Sequence, residues 1–253
     1  MHPAKFCSVR VCPTQFFKVR AGQLVLIGLS LLLASPTLAQ YTPPQDERPP
    51  DNTTTTGHRG GCSGDETVTL TALAPQGHVG QTQSTHPTVS WFVPNSEPRP
   101  IEFYLYEYGT GNNSRLVYST VLESQPGMMS LSLPTDQPGL RPGQTYTWIV
   151  ALLCNPNHPS SAIVTSAFLK VADAAPTPNS ALTGTADPLA QARLYAEAGL
   201  WYDAISTAIN INTSAAQELQ RALLNDLIQA EATTNREHSD RLRQVVDAQQ
   251  HFQ

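Results

Sequence analysis

Residues 140–154 read Leu-Arg-Pro-Gly-Gln-Thr-Tyr-Thr-Trp-Ile-Val-Ala-Leu-Leu-Cys, and this stretch decides the fold of the main domain. From Thr145 onward the side chains fall alternately on two faces, which is the period of a β-strand. One face is bulky and apolar throughout and belongs in a core; it holds Tyr146, Trp148, Val150, Leu152 and Cys154. The opposite face is also largely apolar, which favours a central strand of a sheet.

The approach to this strand carries a second signal. Pro142 and Gly143 mark a turn, and Tyr146 completes the spacing Leu-x-Pro-x-x-x-Tyr that begins at Leu140. The arrangement resembles the tyrosine corner of immunoglobulin-like and fibronectin type III sandwiches, where a tyrosine opening the penultimate strand bonds back to the backbone a few residues upstream. An ordinary buried strand after a Pro-Gly turn has the same residues, so both interpretations stay open at this point.

Short strand-like runs recur between glycine, proline and asparagine turns. Including the stretch above there are seven runs, at residues 67–74, 88–93, 101–108, 116–123, 129–133, 145–154 and 163–171. No helical period appears among them. Seven short strands with such turns predict an antiparallel, immunoglobulin- or fibronectin-III-like β-sandwich over residues 62–172, in a mainly β chain with a C-terminal helical appendage.

The N-terminus has the composition of a secretory signal peptide. Four basic residues and no acidic one precede an apolar run over 24–34, and small residues lead up to Ala39. A membrane-spanning helix needs roughly 20 apolar residues, and this run is too short. We therefore predict a signal peptide over 1–39, a periplasmic or secreted chain, and no membrane span after cleavage.

Removal of residues 1–39 changes the charge and the cysteine content. The whole chain carries a net charge of −5, and subtracting the four basic residues of the signal leaves −9. An acidic chain argues against binding to nucleic acid or to an anionic membrane surface. Cys7 and Cys12 leave with the signal, so Cys62 and Cys154 remain as one pair in an oxidising compartment, where we expect a disulfide.

Two proline-containing segments predict linkers, because they hold few bulky apolar residues and cannot offset the entropy of ordering. The first, over 40–61, is expected to be disordered, and the second covers 173–186. A helical region over 187–231 follows. Asp187 before Pro188 predicts the start of its first helix, and Gly199 predicts its end.

The second and third helices follow from the same kind of pattern. The second carries Trp201 and Tyr202 on its apolar face, and the third begins at Ser214, where Ser-Ala-Ala-Gln resembles a capping box. Exposing so much aromatic surface to water is unfavourable, and we therefore expect Trp201 to be buried within the chain. Residues 232–253 are polar with sparse apolar positions, which predicts a tail with a weak or frayed helix.

Several segments, agreeing in order and spacing, resemble the family catalogued as domain of unknown function 928, known from cyanobacterial envelope proteins. The matching segments are 60–62, 70–75, 85–88, 91–94, 131–134, 146–148, Cys154 and 195–204. The similarity spans roughly residues 60–230. It implies a place in the cell envelope and little about activity, since no function is established for the family.

No local motif predicts catalysis. Residues 60–64, Gly-Gly-Cys-Ser-Gly, have the outline of a nucleophile elbow, but that motif needs a strand before it and a helix after it, and here a linker precedes and a β run follows. The histidines beyond residue 39 show no pair at metal-ligand spacing, and no phosphate-binding loop or zinc motif is present. We expect no catalytic residue, no metal and no cofactor, although catalytic groups can converge without a local motif.

Three tyrosines on one predicted strand are the strongest candidates for a binding surface. If the residues between them point inward, the outer face carries Tyr104, Tyr106 and Tyr108. Aromatic side chains on a β face bury against a partner or stack on sugars. The helical hairpin with Trp201 and Tyr202 can instead cover these tyrosines, or supply binding residues of its own.

These observations favour an exported, non-catalytic interaction module of the cell envelope with an envelope protein as its partner. The alternative is a carbohydrate- or peptidoglycan-binding domain that uses exposed tyrosines. The two hypotheses differ in the ligand that the outer sheet face binds.

The signal-peptide interpretation predicts that the exported chain begins at Gln40. Signal peptidase cuts after small residues that follow the apolar run, and Ala39 is the last of these. N-terminal sequencing of protein from its native compartment checks this, and a mature chain that begins at Met1 would contradict it.

Overall fold

The computed structural model describes residues 41–44, 48–50, 68–94, 97–109, 113–155, 157, 159–173 and 187–251. All of them belong to one compact unit, residues 37–253. The predicted signal peptide, Cys62 and most of the two predicted linkers lie outside the described residues.

Eight strands form two sheets in the described part of the chain. They are β1 (Thr71–Ala72), β2 (Gly80–Thr82), β3 (Thr88–Val93), β4 (Pro100–Glu107), β5 (Arg115–Glu123), β6 (Gly127–Ser132), β7 (Thr145–Leu152) and β8 (Ile163–Val171). One sheet has the strand order β1-β3-β6, and the other has the order β2-β8-β7-β4-β5. Every one of the seven predicted runs overlaps a strand.

β7 is a central strand, as its sequence predicts. It lies between β8 and β4 in the five-stranded sheet, and its predicted core residues Tyr146, Trp148 and Val150 are buried. The alternate residues Thr147 and Ile149 are half-buried on the opposite face. The period of two therefore separates a core face from an outer face along this strand.

Tyr146 makes the bond of a tyrosine corner. Its hydroxyl oxygen accepts a hydrogen bond from the backbone N–H of Arg141 at 2.9 Å, five residues upstream. The turn between them contains Gly143, whose φ of 74° lies in the left-handed region that glycine adopts without strain. The spacing that begins at Leu140 thus corresponds to a real backbone anchor.

β2 corrects the expectation of a purely antiparallel architecture. It pairs with β8 in parallel, whereas the other pairs are antiparallel. The chain leaves β1 in the three-stranded sheet and enters the other sheet at β2, so β2 reaches its partner by a crossing between sheets instead of a hairpin. A strand of three residues, Gly-Gln-Thr, is also too short to show an alternating pattern.

Four helices follow β8 in the described residues. They are α1 (Pro188–Glu197), α2 (Trp201–Ile209), α3 (Ser214–Glu231) and α4 (Arg236–His251). The carboxylate of Asp187 accepts a hydrogen bond from the backbone N–H of Leu189 at 3.1 Å, and Pro188 occupies the first helical position, as predicted.

The helix ends also follow local sequence. Gly199 has a φ of 77°, and the backbone N–H of Leu200 donates to the carbonyl of Tyr195, which together form a Schellman-type end of α1. α3 begins at Ser214 as predicted, but its capping residue lies one position before the predicted capping box. Thr213 is the cap, because its hydroxyl accepts from the backbone N–H of Ala216 at 3.2 Å.

α4 lies in the segment whose sequence predicts a polar tail with a weak or frayed helix. Its apolar positions are sparse because its buried stripe is narrow, and Leu242, Val245 and Val246 are all buried. Two polar residues complete the stripe with backbone partners: His238 bonds to the carbonyl of Ala74, and Ser239 donates to the carbonyl of Ile228. A helix is therefore present where the sequence predicts a weak or frayed one, and it packs on the rest of the chain.

The helices are not an appendage to a mainly β chain. About as many described residues lie in helices as in strands, and both belong to one continuous hydrophobic core. The expected proportions are therefore wrong, because the helices complete the core instead of extending from it. None of the helices in the described ranges is long and apolar enough to cross a membrane.

The corner bond makes a stability prediction. Tyr146→Phe should lower the free energy of unfolding by about 1 kcal/mol, the typical net value of one hydrogen bond, because the N–H of Arg141 loses its acceptor. Urea denaturation measures this. Tyr118→Phe is the matched control, since the Tyr118 hydroxyl makes no hydrogen bond with any described residue. Equal effects of the two substitutions would argue that Tyr146 is an ordinary core tyrosine.

Candidate binding surface

The outer face of the five-stranded sheet is where the sequence places its tyrosines, and β4 orients them as predicted. Phe103 and Leu105 are buried, while Glu102, Tyr104 and Tyr106 lie half-buried on the opposite face. The alternation along β4 thus separates core residues from surface residues.

Tyr104 and Tyr106 form a stacked pair. Their ring centroids are 6.2 Å apart with an interplanar angle of 25°. The Tyr104 hydroxyl donates to a carboxylate oxygen of Glu102 at 2.9 Å. This hydrogen bond raises the pKa of Tyr104 above its ordinary value, so the tyrosine stays a neutral donor beside an acceptor.

Strand register supplies the neighbours of this pair. Tyr104 lies opposite Ile149 of β7 on one side and Ser119 of β5 on the other. Glu102 lies opposite Val121 of β5. We name the resulting surface the tyrosine face, defined as Glu102, Tyr104, Tyr106, Ser119, Val121 and Ile149. It is a continuous, largely apolar surface with one carboxylate and three hydroxyl groups.

Tyr108 has a different role from the other two tyrosines. It lies just beyond β4, and its ring meets the ring of Phe168 edge-on at 5.6 Å between centroids. Phe168 belongs to β8 and is itself buried. The ring of Tyr108 therefore lies against another side chain at one end of the sheet, outside the tyrosine face as defined here.

Trp201 and Tyr202 do not lie on a binding surface. Both are buried, which confirms the expected burial of Trp201 and corrects their place among the candidate binding residues. The indole N–H of Trp201 donates to the carbonyl of Leu73 at 2.9 Å. The Tyr202 hydroxyl accepts from the indole N–H of Trp148 at 2.9 Å and donates to the carbonyl of Phe168 at 2.7 Å.

The same bonds show which side of the sheet the helices occupy. Trp148 lies on the core face of β7, so the helix that carries Tyr202 approaches the sheet from the core side. The tyrosine face lies on the other side. The alternative that the helical hairpin covers the tyrosines is therefore wrong for Tyr104 and Tyr106.

Tyr41 is a buried residue that sequence reasoning missed. It falls in the predicted linker, yet its ring is buried and meets the ring of Trp201 edge-on at 4.9 Å. Its backbone N–H donates to the carboxylate of Asp226 at 2.8 Å, and its hydroxyl bonds to the ring of His78 at 2.8 Å. The available signal was one large aromatic residue in an otherwise polar, proline-rich segment.

Buried ionisable groups cluster between the helices and the loop that follows β1. Glu231 accepts hydrogen bonds from the backbone N–H groups of Gln76 and Gly77, and burial raises its pKa. Burial lowers the pKa of His78 to about 4 and that of His238 to about 3. Their partners are mostly backbone groups of the same chain, which is typical of structural residues.

Two of the features considered from sequence are a metal site and the cysteine motif at 60–64. No group of three or more histidine, cysteine, aspartate or glutamate side chains within the described residues is placed to hold a metal ion. The 60–64 motif, including Cys62, lies outside the described residues. Cys154 follows β7 and is half-buried, and its carbonyl accepts a hydrogen bond from Arg99 at 2.8 Å.

Comparison with known protein families gives a match. Residues 54–237 match a family whose description is Domain of Unknown Function (DUF928). No curated protein matches the chain. The match covers all eight described strands and the first three helices, and its description assigns no ligand.

The burial of His238 makes a pH prediction. The folded pKa of about 3 lies below the ordinary value of 6.5 because burial disfavours the charged form. The contribution of this group to stability is therefore complete above pH 6.5 and is lost as the pH falls toward 3, by about 1.4 kcal/mol per pH unit.

A comparison of wild type with His238→Gln isolates this effect. Asp203, whose pKa burial raises to about 6, acts in the opposite sense, since its folded pKa lies above its ordinary 3.8 and stability rises as the pH falls through that range. Because both proteins retain Asp203, the difference in their unfolding free energies should shrink or invert between pH 7 and pH 5. A difference that stays constant with pH would show that His238 is not buried in its neutral form.

Proposed function

The chain belongs to the family described as Domain of Unknown Function (DUF928), and we propose that it is an exported, non-catalytic interaction module of the cell envelope that binds a protein partner through the tyrosine face. The observation that carries this proposal is the half-exposed, stacked pair of Tyr104 and Tyr106 on the outer face of the sheet. Aromatic residues are enriched at the centres of protein interfaces.

The packing of the two rings favours a protein over a sugar. Tyr104 and Tyr106 turn ring faces toward each other, so those faces are not open for a sugar ring to stack on. The neighbouring Ile149 and Val121 extend the apolar surface across three strands. An apolar area with a polar margin matches the general anatomy of protein interfaces.

A carbohydrate or peptidoglycan ligand is the second candidate, because polar groups border the rings. The carboxylate of Glu102 already accepts from the Tyr104 hydroxyl, and the side chain of Ser119 is exposed beside Tyr104. Hydroxyl and carboxylate groups next to an aromatic ring can bond the hydroxyl groups of a sugar. This candidate depends on those polar atoms, whereas a protein partner depends mainly on the rings.

Export rests on the signal-peptide composition and on cysteine chemistry. We propose that the mature chain begins after Ala39 and lies in the periplasm or outside the cell. We propose that Cys154 pairs with Cys62, the other cysteine that remains after cleavage, and the disulfide-bonded state of Cys154 supports this pairing. A Cys62–Cys154 bridge would stabilise the fold by about 4 kcal/mol through loop closure, and disulfides persist in oxidising compartments.

Two double variants test the function and separate the two ligands. Tyr104→Ala with Tyr106→Ala removes the rings and should lower capture of envelope proteins by tenfold or more, about 1.4 kcal/mol. Tyr104→Phe with Tyr106→Phe keeps the rings and should retain capture. Both side chains are surface groups, so the melting temperature should change little in either variant.

The mature chain is immobilised and exposed to envelope extract, and mass spectrometry identifies the proteins that bind. Binding to purified sacculi and to a glycan array is measured in parallel. Protein capture that survives removal of both rings would refute the tyrosine face as the binding site. If wild type binds sacculi and both double variants lose that binding, the ligand is a carbohydrate and not a protein.

A further inference from the structure

β5 presents an unpaired edge. It is the last strand of the five-stranded sheet, and among the described residues it pairs only with β4. Natural proteins protect such edges with proline, lysine, bulges or short strands. β5 has nine residues without proline or lysine. Its one irregularity is a register shift near its start, where Val117 has no partner in β4.

The large apolar side chains that are exposed in the described residues lie on the same strand. Leu116 is 47% exposed and Val121 is 67% exposed, and within the described part of the chain these are the large hydrophobic residues that face solvent. Val121 lies beyond the register shift, on the regular part of β5, opposite Glu102 of β4. A free edge with an exposed apolar centre is the arrangement that a further strand would cover.

The regular part of β5 is complementary to itself. When two copies run antiparallel about a twofold axis at Val121, that residue lies opposite its own copy. Ser119 then lies opposite Glu123, and this pair occurs twice by symmetry, with a hydroxyl donor facing a carboxylate acceptor. Thr120 lies opposite Leu122 on the core side. No like charges meet, which matters because opposed like charges destabilise a strand pair.

We propose that two copies of this chain form a dimer by antiparallel pairing of their β5 strands about a twofold axis at Val121. The pairing joins the two five-stranded sheets into one continuous sheet. It satisfies free backbone groups on both edges and covers Val121, the most exposed large hydrophobic residue in the described ranges. An isologous contact of this kind closes on itself, so it yields a dimer and not a fibre.

The dimer would also change the tyrosine face. Two β4 strands would be separated by three strand spacings, about 14 Å, so both copies of the Tyr104 and Tyr106 pair would lie side by side on one surface. A partner with two matching sites would then bind with higher avidity. The inference of a dimer rests on the geometry of β5 and does not depend on the proposed function.

A charge-swap experiment tests the axis as well as the edge. Val121→Lys and Val121→Glu each place two like charges opposite one another at the axis, so each variant alone should be monomeric. Mixed in equal amounts, they place lysine opposite glutamate and should restore the dimer. Because the Val121 side chain points to solvent, both variants should fold with unchanged circular dichroism. Gln229→Lys, at an exposed position of α3, is the control for added charge and should remain dimeric.

Light scattering coupled to size exclusion reads out the mass of the chain that begins at Gln40 across a concentration series. We expect the dimer mass for wild type and the monomer mass for each single variant. The equimolar mixture of the two variants should again show the dimer mass. A wild type that stays monomeric, a Val121→Lys variant that stays dimeric, or a mixture that does not associate would each overturn the proposal. The Tyr104→Ala, Tyr106→Ala double variant separates the two proposals, because both substitutions lie on β4 and leave β5 unchanged. It should lose capture of envelope proteins and still form the dimer.

Discussion

The hydroxyl group of Tyr202 joins the helices to the five-stranded sheet. It accepts a hydrogen bond from Trp148 and donates one to the carbonyl of Phe168, in a fully buried site. Burial raises the pKa of Tyr202, which keeps the proton that the second bond requires. The neighbouring Trp201 donates to the carbonyl of Leu73, directly after β1 of the other sheet. A buried donor without a partner costs about 1–3 kcal/mol, so two consecutive residues fix α2 against both sheets.

This attachment determines which surfaces remain free. The helices occupy the core side of the five-stranded sheet, and close packing holds them there: a Cβ on Gly80 would lie 2.7 Å from the ring of Tyr202. Tyr41 adds a third contact to the same region through its bonds to Asp226 and His78. The outer face and the β5 edge are not used by these contacts, so these are the surfaces where a partner or a second copy of the chain can bind.

The parts of the fold that sequence predicts are those with a local cause. Alternation along β4 and β7 depends on neighbouring residues, and so do the Asp187 cap and the Gly199 helix end. The parts that sequence missed depend on distant partners. Tyr41 is buried because Asp226, 185 positions away, accepts its N–H. α4 packs because His238 meets the carbonyl of Ala74, 164 positions away, and β2 exists as a strand only because β8 lies beside it.

The same distinction bears on the tyrosine face. Core aromatics such as Trp148 and Tyr202 are held by bonds across the chain, and their identity follows from the fold. Tyr104 and Tyr106 contact each other and a carboxylate on a half-exposed surface, where a single hydrogen bond or ion pair adds little to stability. The fold therefore does not require aromatic residues at these two positions. A binding role accounts for them better than a stabilising one, since a partner is what would bury their remaining surface.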